Sequence, residues 1–331
     1  MKSKFKMNSN VVRALVLLVF LFSLPLWGSA FVVTQLGAQT LALGTVALSL
    51  SFLAGQLGMV SLLQMSLAGF AAYAVAMSGQ AADGLGWGWP LWVSILFALS
   101  VTVLASLLVG ALSARTEGVY TIMITLAIGI AFANLARQNY VLFNGFNGFT
   151  GVQVPTLLPA SWGRAGNLYT ICLLLAAGAG LFVFWVCRTT LGMAFNGVRD
   201  NPRRMQSMGY SVLGLRVVAF GISGVVAALG GIAMVWYDQI ITPGRIQVSS
   251  MVDLLIMCVM GGIRQPLGPF IGALAYILLR TFATDFVGPE RFNLLIGSVF
   301  IMVVMFSDDG LTGWVKRARK REIQSENNTK D

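Results

Sequence analysis

The chain is a succession of apolar runs, most of them near the length of a membrane-crossing helix, with few charges inside them. They are Val11 to Trp27, Gln39 to Ala54, Gly58 to Met77, Leu91 to Leu112, Val119 to Ala136, Leu168 to Cys187, Leu213 to Trp236, Ser249 to Gly262, Pro266 to Thr284 and Phe292 to Phe306. A helix crosses hydrocarbon with about 20 mostly apolar residues, because each backbone amide must be satisfied within the segment. The runs predict an all-α fold, a polytopic transmembrane helical bundle of about ten membrane segments. Gly58 to Met77 and Ser249 to Gly262, short or rich in Gly and Ser, are the candidates for re-entrant or broken helices. Composition agrees: 57% of the 331 residues are apolar and 10% are charged, against about 25% charged in soluble domains.

Charge sets the expected orientation. The 22 Lys and Arg exceed the 12 Asp and Glu, and the excess gathers at the two chain ends and in one internal stretch. With ten crossings and the N-terminus inside, seventeen basic residues fall inside and five outside, so both termini are expected in the cytoplasm. Residues 1–10 then form a cytoplasmic N-terminus, 11–315 the membrane domain with an inner segment at 188–214, and 316–331 a basic cytoplasmic tail. Lys2 to Lys6, the apolar run to Pro25 and Gly28-Ser29-Ala30 also have the form of a cleavable signal peptide. The run is longer than a usual signal core, which favours a retained span.

Several chemistries are excluded. The chain has no histidine, hence no His-based acid-base catalysis or His-metal site. Cys172, Cys187 and Cys258 lack metal spacing and read as small packing residues. A phosphate-binding loop of the G-x-x-x-x-G-K-[ST] type does not occur, so nucleotide is not bound by that route. Nucleic acid is not needed to explain the basic residues.

Polar side chains within spans are costly and mark candidate sites. Gln64 lies midway along its run, where a helix-helix hydrogen bond is the favoured reading and a pathway role the alternative. Asp253 is either a charge at a helix N-terminus or a pathway group. Asn134 and Arg137 close another helix. The longest outer connection contains Asn144-Gly145-Phe146-Asn147-Gly148-Phe149-Thr150-Gly151, whose Gly and Asn suit positive φ and tight turns. Gly69-Phe-Ala-Ala-Tyr73 and Gly272-Ala-Leu-Ala-Tyr276 form a faint internal repeat. In the inner stretch Gly192 to Tyr210, Asp200 or Asn201 can cap a helix with Pro202 in its first turn, and Gly209 can end it. That short helix is expected to present Met205, Met208, Arg203 and Arg204 to a docking partner, or else to lie on anionic lipid.

Six segments carry a resemblance: Gly55 to Tyr73, Gly118 to Ala127, Asn144 to Gly151, Gly192 to Tyr210, Ala219 to Gly231 and Val259 to Ala273. In this order they resemble permease subunits of branched-chain amino acid ABC importers, including the urea and amide branch. The resemblance implies a translocation subunit and not an enzyme, in a bacterial-type inner membrane. It implies as partners a second homologous permease, two cytosolic ATPases that hold ATP and Mg, and a periplasmic solute-binding protein. The segment 188–214 becomes the element coupled to the ATPase, through Arg199, Asp200, Asn201, Pro202, Arg203, Arg204, Met205, Met208 and Gly209. Gln64, Asn144, Gly145, Asn147, Gly148 and Asp253 become candidates for the pathway or the binding-protein contact. The chain departs from the family's pattern at Met59, at Leu63-Gln64 and at Asp308-Asp309, departures that bear on the solute. A branched-chain or other apolar amino acid is the leading solute, with urea or a short amide as the alternative. An ion-coupled secondary transporter would be expected to bury ionisable groups in several spans, and few lie at span centres here.

Overall fold

The structure, a computed structural model, describes residues 23–25, 28–79, 86–155, 163–287, 292–306 and 310. The first expected span, the tail at 316–331 and Asp308-Asp309 lie largely or wholly outside the described residues. The helices are α1 (Val32–Leu57), α2 (Gln64–Ser78), α3 (Leu91–Ser113), α4 (Val119–Gln138), α5 (Gly163–Arg188), α6 (Thr190–Asp200), α7 (Pro202–Ser207), α8 (Val212–Asp238), α9 (Val248–Gly261), α10 (Gly268–Val287) and α11 (Phe292–Phe306). Two short strands, β1 (Phe149–Thr150) and β2 (Ile240–Ile241), pair antiparallel. Among the described residues five helices are long and apolar enough to cross a membrane: α1, α3, α4, α5 and α8. Arg188 closes α5 and Val212 opens α8, with α6 and α7 between them.

Helices in lipid associate by close packing, so their inward faces carry small residues and their outward faces large ones. α3 follows this rule at spacings of three and four: it buries Ser94, Ala98, Thr102, Ser106 and Gly110 and exposes Trp92, Leu96, Leu104, Leu108 and Leu112. α4 likewise buries Thr121, Thr125, Gly129, Ala133 and Ala136. The two central helices are apolar all round, with 78% of the α1 window and 72% of the α8 window buried, against 28% for α3 and α4. Glycine allows the central contacts. A Cβ on Gly231 of α8 would stand 2.0 Å from the carbonyl oxygen of Ala68 in α2.

Two membrane helices are half-length, and each follows a break. α1 ends in a π-helical turn, Leu53–Leu57, and Gly58 at φ +71° turns the chain out of the helix. Residues 59–63 are not helical, and α2 starts at Gln64, level with Ser49 of α1. Since Ser49 lies eight residues before the end of α1, α2 begins about 12 Å inside the bundle. The second break enters from the opposite end. After α8 the chain passes through β2 and a 3-10 turn, Pro243–Ile246, and fully buried Ile246 packs on Gly69 of α2. α9 then has 14 residues, about 21 Å of helix, less than the roughly 30 Å of a hydrocarbon core.

The packing repeats with the halves exchanged. α8 lies against α2 and α3 as α1 lies against α9 and α10, and α2 packs on α3 as α9 does on α10. α2 thus corresponds to α9. The strings Gly69–Tyr73 and Gly272–Tyr276 fall in α2 and α10, so their likeness does not mark this relation.

Candidate translocation and coupling sites

At one end of the bundle the Asn144–Gly151 segment is a closely built turn. Asn139 caps the turn Tyr140–Phe143 by accepting the amides of Val141 and Leu142 at 3.0 and 2.9 Å. Asn144 adopts φ +56° and donates its side-chain amide to the Gly148 carbonyl at 2.7 Å. Gly145, Gly148 and Gly151 all have positive φ, where a side chain would be strained. Gly148 is also pressed on the partner strand, since a Cβ there would stand 1.9 Å from the Ile241 carbonyl oxygen. Phe146 and Asn147 are exposed, so the segment presents a rigid tip. Beside it Arg245 pairs with Asp238 at 2.7 Å.

Midway along the bundle, Gln64 is fully buried at the start of α2. Its Oε1 accepts from Ser49 of α1 at 3.1 Å, and its Nε2 donates to Ser223 of α8 at 3.4 Å. The contact is of the helix-helix kind expected for an amide in a span, and it joins three helices at the tip of the half-helix. The non-helical stretch before it is partly satisfied by side chains: Thr125 of α4 accepts the Leu62 amide at 3.3 Å. Asp253 lies beyond the first turn of α9, which holds no acidic residue, so it does not act as a terminal charge on the helix dipole. The Tyr276 hydroxyl of α10 is hydrogen-bonded to its carboxylate, and Arg280 is the nearby cation. Gln64, Asp253 and the Asn144–Gly148 turn are thus separate features of the fold, not one cluster.

At the other end, α6 and α7 bridge α5 and α8. The expected short helix is α7. Asn201 caps it by accepting the Arg204 amide at 3.0 Å, and Pro202 occupies the first turn. It stops at Gly209, φ +87°, with Gly209 donating to Gln206 at 2.9 Å and Tyr210 to Met205 at 3.1 Å, the paired bonds of a Schellman motif. Met208, Arg203 and Arg204 are exposed. Met205 is not presented outward; its sulfur packs back on Gly197 of α6. Two residues without a place in the expected set join this surface, Met193 at 66% and Tyr210 at 49% exposure, beside Met208 at 66%.

Arg199 and Asp200 differ in direction. Asp200 faces solvent at 70% side-chain exposure, whereas the Arg199 side chain, 32% exposed, reaches back to the end of α1 and donates from Nη1 to the Gly55 carbonyl at 2.6 Å. Arg216, at the foot of α8, was visible in the sequence only as one of the inner cations. Its buried guanidinium donates to the Ala114 carbonyl at 2.9 Å and to Glu117 at 2.7 Å, fastening the α3–α4 connection. Among the described residues no group of His, Cys, Asp and Glu could hold a metal ion.

Apolar helices broken at mid-depth from both ends, with the α6–α7 pair set between two spans, make a polytopic helical membrane protein of the transport kind. The chain belongs to the family described as branched-chain amino acid transport system, permease component, whose pattern matches residues 32–305. It is 23% identical over 277 residues to the high-affinity branched-chain amino acid transport system permease protein LivM of Salmonella typhimurium, covering 77% of this chain and 64% of that protein. It is 26% identical over 345 aligned positions to the autoinducer 2 import system permease protein LsrC of Escherichia coli, covering 96% of this chain and 92% of that one. The autoinducer 2 import system permease protein LsrD of Klebsiella pneumoniae is 30% identical over 202 residues, 60% of this chain and 57% of that protein. The chain thus spans 64% of the LivM permeases it matches. No solved structure matches the chain. The family is described as a permease component, and these relatives are named as permeases.

Proposed function

We propose that this chain is the translocation subunit of an ATP-driven ABC importer in a bacterial-type inner membrane. The α6–α7 end and both termini face the cytoplasm, and the Asn144–Gly151 tip faces a periplasmic solute-binding protein. The pore is completed by a second homologous permease, and ATP with Mg is bound by two cytosolic ATPases. The observation that carries the reading is the α6–α7 pair, α7 capped by Asn201 and the pair tied to spans on both sides, with Met193, Met208, Tyr210, Arg203 and Arg204 outward. Methionine fills irregular grooves and arginine steers acidic rims, so this surface suits docking on an ATPase. The importer carries a small polar solute. A branched-chain or other apolar amino acid leads, supported by the family description and the LivM relatives. Autoinducer 2 is the second reading, favoured by near full-length likeness to LsrC.

Met208→Asp places a charge in the docking surface without touching the membrane core. It is expected to weaken copurification of the ATPase and to lower ATP hydrolysis and uptake together, about tenfold, with normal amounts of permease in the membrane. Normal association and transport would instead make α6–α7 a helix pair resting on lipid.

A further inference from the structure

We propose that Arg199 is a positioning residue that ties the coupling segment to the break between α1 and α2, so that movement of α6–α7 reaches the half-helix carrying Gln64. The inference rests on the docking of α6–α7 put forward above. α6 lies along the last turns of α1 through one face. Fully buried Phe195 meets Phe52 edge-on at 6.0 Å, Asn196 donates to the Gln56 side chain at 3.0 Å, and Arg199 donates to the Gly55 carbonyl at 2.6 Å. Carbonyls in the last turn of a helix have no donor further along the chain, and a cation is their favourable partner. Asp200 accepts from Nε and Nη2 of Arg199 at 3.2 Å each, and Nη1 is the atom that reaches Gly55. The stem of Arg199 lies across the hinge, its Cγ 2.9 Å from where a Cβ of Gly58 would stand.

Beyond Gly58 the Met59 amide donates back to the Leu53 carbonyl at 3.3 Å, and residues 60–63 follow without helix. Leu63 donates to the Ser61 hydroxyl, and the Leu62 amide is held by Thr125 from another helix. Met59, Ser61, Leu62 and Leu63 are buried, so the stretch is held by the surrounding helices and carries a displacement along the chain. Displacing α6 therefore pulls on Gly55 and Gly58 first. The stretch passes that pull to α2, whose first residue is locked between α1 and α8 by Ser49 and Ser223. Arg199 acts on the chain's own hinge, and the ATPase is held by other residues.

The test uses the whole importer in proteoliposomes. ATP hydrolysis is read alongside uptake of labelled leucine or autoinducer 2, whichever the wild-type importer carries. Arg199→Ala is expected to keep ATPase copurification and to hold hydrolysis within about twofold while uptake falls at least tenfold, so that solute moved per ATP drops fivefold or more. Arg199→Lys should recover part of that ratio, and Asn196→Ala should lower it less. The proposal is overturned if Arg199→Ala loses the ATPase, if uptake and hydrolysis fall in proportion, or if the ratio is unchanged. Should Arg199→Ala not accumulate in the membrane, Arg199→Lys decides on the same ratio: a drop supports the tie and a wild-type value overturns it. Failure of the docking reading shows separately, as retained association in Met208→Asp.

Discussion

Arg216 and Glu117 share an ion pair at 2.7 Å but are unequal partners. The arginine side chain is 9% exposed and the glutamate 70%. An exposed carboxylate is readily replaced by water, so its pair contributes less than about 1 kcal/mol. The guanidinium also satisfies the Ala114 carbonyl at the foot of α3, a bond that water cannot easily supply in a buried position. Charged hydrogen bonds of that kind contribute about 1.5–3 kcal/mol. Arg216→Ala should therefore destabilise the detergent-solubilised protein by about 3 kcal/mol, and Glu117→Ala by under about 1 kcal/mol, in thermal unfolding measured side by side. Equal losses would mean that the ion pair, not the carbonyl contact, holds the connection. The sequence shows Arg216 only as an inner-side charge, because its partners lie about a hundred residues away and leave no local pattern. Arg199 is similar: its place beside Asp200 suggests a surface cation, and only the fold reveals the carbonyl it reaches. Gln64 was more legible, since an amide in a span must find polar partners.

The helices are read well where local rules decide them. Asn201-Pro202 and Gly209 mark α7 at both ends, and the cap bonds fall there. α6 had a weaker signal, Phe195 and Val198 spaced three apart on one buried face with two glycines between its polar residues. The break within Gly58 to Met77 was suggested by composition, but its position depends on Thr125 and Ser223 in distant helices. The turn at Asn144–Gly151 was legible as a turn, while its pairing with Ile240–Ile241 was not, because two-residue strands have no periodicity to read. That pairing makes Gly148 sensitive. A methyl group there meets the Ile241 carbonyl oxygen at 1.9 Å and stands at φ +63°, so strain and overlap add. Gly148→Ala should cost about 3 kcal/mol, from roughly 1–2 kcal/mol of backbone strain and a similar amount of overpacking. The check is a lowered unfolding midpoint, while Asn147→Ala at the exposed tip leaves the midpoint unchanged. An unaltered midpoint in Gly148→Ala would show that the strand pair yields freely.

Taken whole, the molecule has two halves that pack alike about the central pair α1 and α8, each half with a half-length helix starting inside the bundle. Among the described residues five helices are long and apolar enough to cross a membrane, fewer than the about ten segments that apolar runs in the sequence suggest. The exchange of halves was not legible in the sequence, since it is a relation between contacts, and the matching strings at 69–73 and 272–276 pointed to the wrong helices. Breaks at mid-depth leave backbone groups inside the membrane, where transport proteins place their solute paths. Ion-coupled transporters have such breaks too, so the preference for a passage driven from outside the chain rests on the family and on the scarcity of ionisable groups at span centres. The most direct measurement reconstitutes this permease with its sister subunit and ATPases in proteoliposomes with ATP enclosed, and follows labelled leucine or autoinducer 2 after adding the binding protein. Uptake is expected to require both ATP and the binding protein and to persist when ionophores collapse the ion gradients. Uptake that proceeds without ATP and stops with the gradients would contradict the central claim.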